Sequence, residues 1–95
     1  MSHFVYILHS VKLNRFYIGS TSDYDVRIQF HIHAPPHKFT ANAKDWLLYL
    51  KIVCTTRKQA LLIEGHIKSM KSKVYIENLK KYPEMVEKLL FRYLN

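Results

Sequence analysis

FVYILHSVKLNRFYIGST, residues 4–21, is two short runs of aromatic and β-branched residues joined by a polar bend. Both Phe4–Ser10 and Phe16–Thr21 have the composition of strands. Asn14 in the connection suits a tight reversal, so the two runs are expected to pair as an antiparallel hairpin. Gly19, close to the end of the second run, marks a bulge or a close approach of backbone.

Working outward, Ser22-x-x-Asp25 has the form of a helix start, because the hydroxyl can accept from an exposed amide and the acid favours the positive end of the helix dipole. A helix from about Asp23 to His31 is expected, stopped by His33-Ala-Pro-Pro-His37. Lys38–Asp45 is polar loop, and Trp46–Cys54 reads as a third strand. Thr56-x-x-Gln59 is a second capping box, opening a helix through about Lys73 with a buried stripe of Ala60, Ile63, Ile67 and Met70. Gly65 costs that helix about 1 kcal/mol relative to Ala, which suggests close packing there. Val74–Lys81 gives a shorter helix, and Pro83 suits the first turn of a last one carrying Met85, Leu89 and Arg92. The expected order is β-β-α-β-α-α-α: an α+β fold with a three-stranded antiparallel sheet flanked by helices.

Ninety-five residues make one domain, with 48% apolar residues to build one modest core. No apolar run approaches the roughly 20 residues that cross a bilayer, so no membrane partner is expected. The Met-Ser-His start is followed by neither a basic segment nor an apolar region with a cleavage site, so no signal peptide is expected. Cys54 is the only cysteine, which excludes an internal disulfide and fits a reducing, cytoplasmic setting. Charge is more informative. Fifteen Lys and Arg oppose seven Asp and Glu, for a formal net charge of +8. Residues 51–82 hold eight of the basic side chains against Glu64 and Glu77 alone. A polyanion is the partner such a balance favours, nucleic acid first, since phosphate contacts release counterions. A merely solvated basic surface is the common alternative.

Few residues stand out chemically. Arg27 and His31 lie four apart on the expected first helix and project from one face. A guanidinium can bind a phosphate through two parallel hydrogen bonds, and a neighbouring imidazole can carry a proton near neutral pH. Taken alone, the pair is more simply an exposed amphipathic face. Tyr6 and Tyr17 sit on adjacent strands and can share a face, although tyrosine is in any case a favoured strand residue. Glu64 interrupts the apolar helix stripe between Ile63 and Ile67. A carboxylate at a core boundary needs a cation or hydrogen bonds. It could ligate magnesium, which is often held by one or two carboxylates plus water and phosphate, or pair with Lys68 at i+4. His31, His33 and His37 are closely spaced but lack the pattern of a structural zinc site.

Together these residues resemble the GIY-YIG nuclease family. Its second motif is intact as Tyr17-Ile18-Gly19, followed by Ser20-Thr21; its first is degenerate, Phe4-Val5-Tyr6 keeping only the tyrosine. Arg27 matches the family's arginine, His31 falls where a histidine or tyrosine stands one turn later, and Glu64 matches the acid that holds a single divalent metal. The likeness covers about residues 3–73, leaving 74–95 as a helical extension of one domain. The Val-Tyr-Ile-Leu opening and Glu64-x-x-Ile-Lys-x-Met-Lys-Ser-Lys73 are similar to small stand-alone bacterial members related to the excinuclease of excision repair. Two departures are visible. Ile76 stands where members often carry an asparagine about twelve residues past the glutamate, and Ser20 replaces a lysine that some carry after Tyr-Ile-Gly.

The resemblance implies a Mg²⁺- or Mn²⁺-dependent DNA endonuclease, acting in repair or recombination on branched or damaged DNA. Glu64 would hold the metal and Arg27 would neutralise the phosphorus centre. Tyr6, Tyr17 and His31 would share the handling of the attacking water, with base and positioner exchangeable among them. Lys68, Lys71 and Lys73 would contact the DNA. A nucleic-acid-binding adaptor with a vestigial site is the alternative, and the apolar last helix leaves room for a homodimer.

Overall fold

In the computed structural model, which describes residues 3–22 and 45–94, the hairpin forms where the sequence puts it. Strand β1 (His3–Ser10) pairs antiparallel with β2 (Arg15–Thr21), Tyr6 opposite Gly19 and Leu8 opposite Tyr17. Asn14 turns the chain with φ of 50°, a left-handed conformation that asparagine tolerates, and its amide donates to the Val11 carbonyl at 3.2 Å. Strand β3 (Leu47–Cys54) pairs antiparallel on the other side of β1, giving the order β2-β1-β3. Its register shifts between Ile7 and Leu8, where the partner passes from Leu50 to Leu48. The fold is α+β, with a three-stranded antiparallel sheet and, among the described residues, three helices. The helix expected over about 23–31 lies outside the described residues.

The central strand has no exposed face. Val5, Tyr6, Ile7 and Leu8 are all fully buried. Alternation sends Val5 and Ile7 to one side, where they meet Ile52, Cys54 and the helices, and sends Tyr6 and Leu8 to the other, with Trp46, Leu13 and Tyr17. Helix α1 (Arg57–Met70) lies on the first side, packing against β1 and β2. Thr56 caps it by accepting from the Gln59 amide at 3.1 Å. Gln59 is itself buried. It accepts from the Thr55 amide and donates to the Leu90 carbonyl, both at 2.8 Å, tying the start of α1 to the last helix.

Ala60, Ile63 and Ile67 are buried as their spacing requires, but Met70 is 44% exposed. The stripe ends early because the helix does. Lys71 follows Met70 with φ of 48° and closes α1 by a backbone bond to the Lys68 carbonyl, so the chain turns away from the core there. Helices α2 (Lys73–Lys81) and α3 (Pro83–Arg92) then add Ile76, Leu79 and Leu89 to the core.

Gly65 is not a packing residue. A Cβ built there meets nothing within 4 Å. Gly65→Ala is therefore expected to stabilise the protein by about 0.4–1 kcal/mol, through helix propensity and a less flexible unfolded chain, read as a higher urea midpoint with unchanged slope.

A second feature unseen in the sequence is Asp45. Its carboxylate accepts from the Ser10 hydroxyl at 2.6 Å and the Lys12 amide at 2.8 Å, closing the hairpin turn onto the start of β3. Those bonds, the Ser10 hydroxyl first, hold its pKa below the ordinary 3.8. A carboxyl whose folded pKa is depressed contributes stability above its unfolded pKa and loses it as pH falls through the folded value. Asp45→Asn is therefore expected to lower stability at neutral pH and to flatten the acid limb of the stability curve below about pH 4, measured by urea midpoints against pH.

Candidate active site

Gly19 is the key to the geometry on the sheet face away from the helices. The Tyr6 ring crosses directly over it: a Cβ at Gly19 would sit 2.6 Å from Tyr6 Cζ and closer still to the hydroxyl. The glycine of the second motif is thus an opening that admits the tyrosine of the first, by the close approach that its place in a strand suggests. Tyr6 in turn stacks with Tyr17, ring centroids 6.4 Å apart and planes 24° off parallel. Tyr6 is fully buried, whereas Tyr17, on the edge strand, is half-buried. Of the two phenols, Tyr17 is the one with a path to solvent.

Glu64 meets the same strand from the helix side. Ser20, opposite Val5 and three residues past Tyr17, turns its hydroxyl toward α1 and donates to Glu64 Oε1 at 2.6 Å. Lys68 Nζ lies 2.6 Å from Oε2, pairing at i+4. The Glu64 side chain is 16% exposed and that of Lys68 55%. The carboxylate is therefore held at the core boundary by a hydroxyl on one oxygen and an ammonium on the other. The two explanations weighed from the sequence are not exclusive: the salt bridge is present, and about four lone-pair sites on a carboxylate leave room for a cation.

The phenols and the carboxylate approach β2 from its two faces. Because β2 is an edge strand, the faces are joined around its rim. A cleft of about 250 Å³, lined by Phe16, Tyr17, Ile18 and Lys68, spans that rim. The structure thus brings Tyr6 and Tyr17 together, brings Ser20, Glu64 and Lys68 together, and links the two groups through Tyr17 and Lys68. Arg27 and His31 lie outside the described residues. Lys71 and Lys73 are exposed at the junction of α1 and α2. Ile76 is buried in the core, so that position of α2 offers no polar group to the rim. Cys54 is buried too, and burial pushes its thiol pKa up, away from nucleophilic use.

Ser20 is the residue that sequence reading missed. Its tie to Glu64 crosses 44 positions, and no local pattern encodes such a pair. The one available clue was the place of Ser20 directly after Tyr-Ile-Gly.

A divalent ion is compatible with this donor set. Among the described residues no cluster of three or more His, Cys, Asp or Glu forms, so an ion here would rest on the Glu64 carboxylate, with the Ser20 hydroxyl as a neighbouring hard oxygen. That suits magnesium, which keeps several waters and takes oxygens from phosphate. It does not suit structural zinc, which demands four protein ligands. No helix among the described residues is long and apolar enough to cross a membrane.

A family model described as the GIY-YIG catalytic domain matches residues 2–81 of the chain. No curated protein and no solved structure matches it significantly.

Proposed function

Because this chain belongs to the GIY-YIG family and has a nuclease-type fold, we propose that it is a divalent-metal-dependent endonuclease hydrolysing phosphodiester bonds in DNA. The observation that carries the reading is the Glu64 carboxylate, seated against edge strand β2 by Ser20 and paired with Lys68, which lines the rim cleft together with Tyr17. A basic chain with one partly buried acid at such a rim is suited to a phosphate and its counter-cation.

Glu64 would hold Mg²⁺ or Mn²⁺, with the Ser20 hydroxyl beside it. When bound, the ion supplies Lewis acidity to the phosphate and stabilises the leaving oxygen. Lys68, largely exposed, exchanges its carboxylate contact for a substrate phosphate. The Tyr17 hydroxyl orients the attacking water, and His31 takes its proton. Tyr6, with no accessible surface, is a positioning residue: its ring fixes Tyr17 by stacking and occupies the space over Gly19. Arg27 binds the scissile phosphate through its forked N–H groups and spreads the charge that grows on phosphorus. Lys71 and Lys73 contact the DNA backbone. A role in repair or recombination, in the cytoplasm, is the setting that best suits such an activity.

The test is a supercoiled-plasmid nicking assay on the purified chain. Nicking is expected with Mg²⁺ or Mn²⁺, is expected to stop on chelation, and is expected to return when the metal is restored. Cleavage that persists unchanged in excess chelator would contradict the metal assignment.

A further inference from the structure

Two further clefts lie at the ends of β2. One, of about 340 Å³, is lined by Arg15, Lys71 and Lys73 over a floor of Phe16, Ile18 and Ile76. The other, of about 180 Å³, sits between the far end of β2 and the first turns of α1, with Arg57, His3 and Ser22 in its wall beside Ser20. No acidic residue lines either one. The first shares Phe16 and Ile18 with the rim cleft that reaches Tyr17 and Lys68, and the second shares Ser20 with the Glu64 contact.

Helix geometry relates the three sites. Arg57, Glu64 and Lys71 are spaced by seven residues. Seven residues are close to two full turns and rise roughly 10 Å, so Arg57 and Glu64 fall near one line of α1, and Lys71 follows just past the end of that helix. Strand β2 runs alongside, its seven residues spanning about 20 Å. A DNA strand rises about 3.4 Å per nucleotide, so about six nucleotides cover that length.

The cations are placed where local stability disfavours them. Arg57 and Lys58 occupy the first turn of α1, and Lys73 the first turn of α2, with no acid in either turn. Positive charge at the positive end of a helix dipole is unfavourable. Lys71 adopts the left-handed conformation at a helix end, where glycine is the usual residue. Among the described residues, none of these four side chains has an ion-pair partner. A bound anion offsets the dipole cost at Arg57, Lys58 and Lys73.

We infer that one DNA strand runs along edge strand β2, its phosphates held at both ends: by Arg15, Lys71 and Lys73 at one, and by Arg57 with His3 and Ser22 at the other. The inference rests on the nuclease reading for the choice of DNA as the polyanion, and it adds the path of the strand and the anchoring roles of Arg15 and Arg57. The scissile phosphate lies between the anchors, at Glu64.

Fluorescence anisotropy with a short labelled DNA duplex, in chelator so that nothing is cut, tests the path. Affinity is measured across roughly 50 to 200 mM salt, where each lost phosphate contact lowers the log–log slope by about one. Arg15→Ala and Arg57→Ala are each expected to weaken binding several-fold and to reduce the slope by that amount, with Arg57→Lys retaining most of it. Lys88→Ala, an exposed cation on α3, serves as the control and is expected to leave the slope unaltered. A reduced slope at only one end, or an equal reduction in the control, overturns the two-ended path. Parent protein that nicks DNA while both variants bind like the parent overturns this inference alone. Parent protein that neither binds nor nicks DNA overturns the nuclease reading as well.

Discussion

Glu64→Ala is expected to lower metal-dependent nicking by more than about 100-fold while the protein stays folded. Loss of a residue that merely orients a metal ligand typically costs 10–100-fold in affinity or activity, so loss of the ligating carboxylate itself should cost more. The fold should tolerate the change. The side chain is partly exposed, and its bond to Lys68 is a surface pair of the kind worth about 0–1 kcal/mol. Ser20 is left without its acceptor but remains partly accessible. DNA binding in chelator should persist or tighten slightly, because one negative charge has gone. Arg27→Ala should fall comparably in nicking but should weaken binding, because it removes a phosphate contact. That opposite pair of binding effects separates the two roles. If both variants nick as fast as the parent, the activity belongs elsewhere, and if the parent binds but never nicks under any metal, the adaptor reading replaces the nuclease.

Gly19→Ala is expected to destabilise the protein by about 1–3 kcal/mol, the usual cost of forcing a methyl group into filled space. The space is filled by Tyr6, whose Cζ would lie 2.6 Å from the new Cβ. Tyr6 cannot easily yield, since it is fully buried among Leu8, Trp46 and Tyr17. Removing the obstacle should relieve the cost: in a Tyr6→Leu background, which lacks the ring, the same substitution should be milder, giving a coupling energy in a double-mutant cycle. Additive effects would show that the two motifs do not meet as described. Because Tyr6 also seats Tyr17, Gly19→Ala should reduce nicking beyond what its loss of folded population explains.

These two cases mark how far the sequence could be read. The hairpin was legible because it is local: two aromatic and β-branched runs flank an asparagine that accepts a left-handed turn. The glycine in the second run was legible as a close approach, although nothing local says that Tyr6 is what approaches. Ile63 and Ile67 were legible by period, whereas Met70 was not, because the end of α1 at Lys71 depends on a lysine taking a conformation that glycine would advertise. Gly65 misled, since a glycine inside a helix can signal packing or nothing. Ser20–Glu64 and Ser10–Asp45 were invisible because contacts across 44 and 35 positions are products of the finished sheet. Glu64 itself stood out for a simple reason: a carboxylate in an apolar stripe must be satisfied by something.

That something is the point on which the function turns. Crystals grown or soaked with Mn²⁺ and measured near the manganese absorption edge give the most direct reading. An anomalous peak is expected at the Glu64 carboxylate, beside Ser20 and on the rim that Tyr17 lines, and is expected to be absent in Glu64→Ala. A manganese-supported nicking activity with no peak at Glu64, or with a peak coordinated by other residues, would contradict the assignment of the metal to this carboxylate.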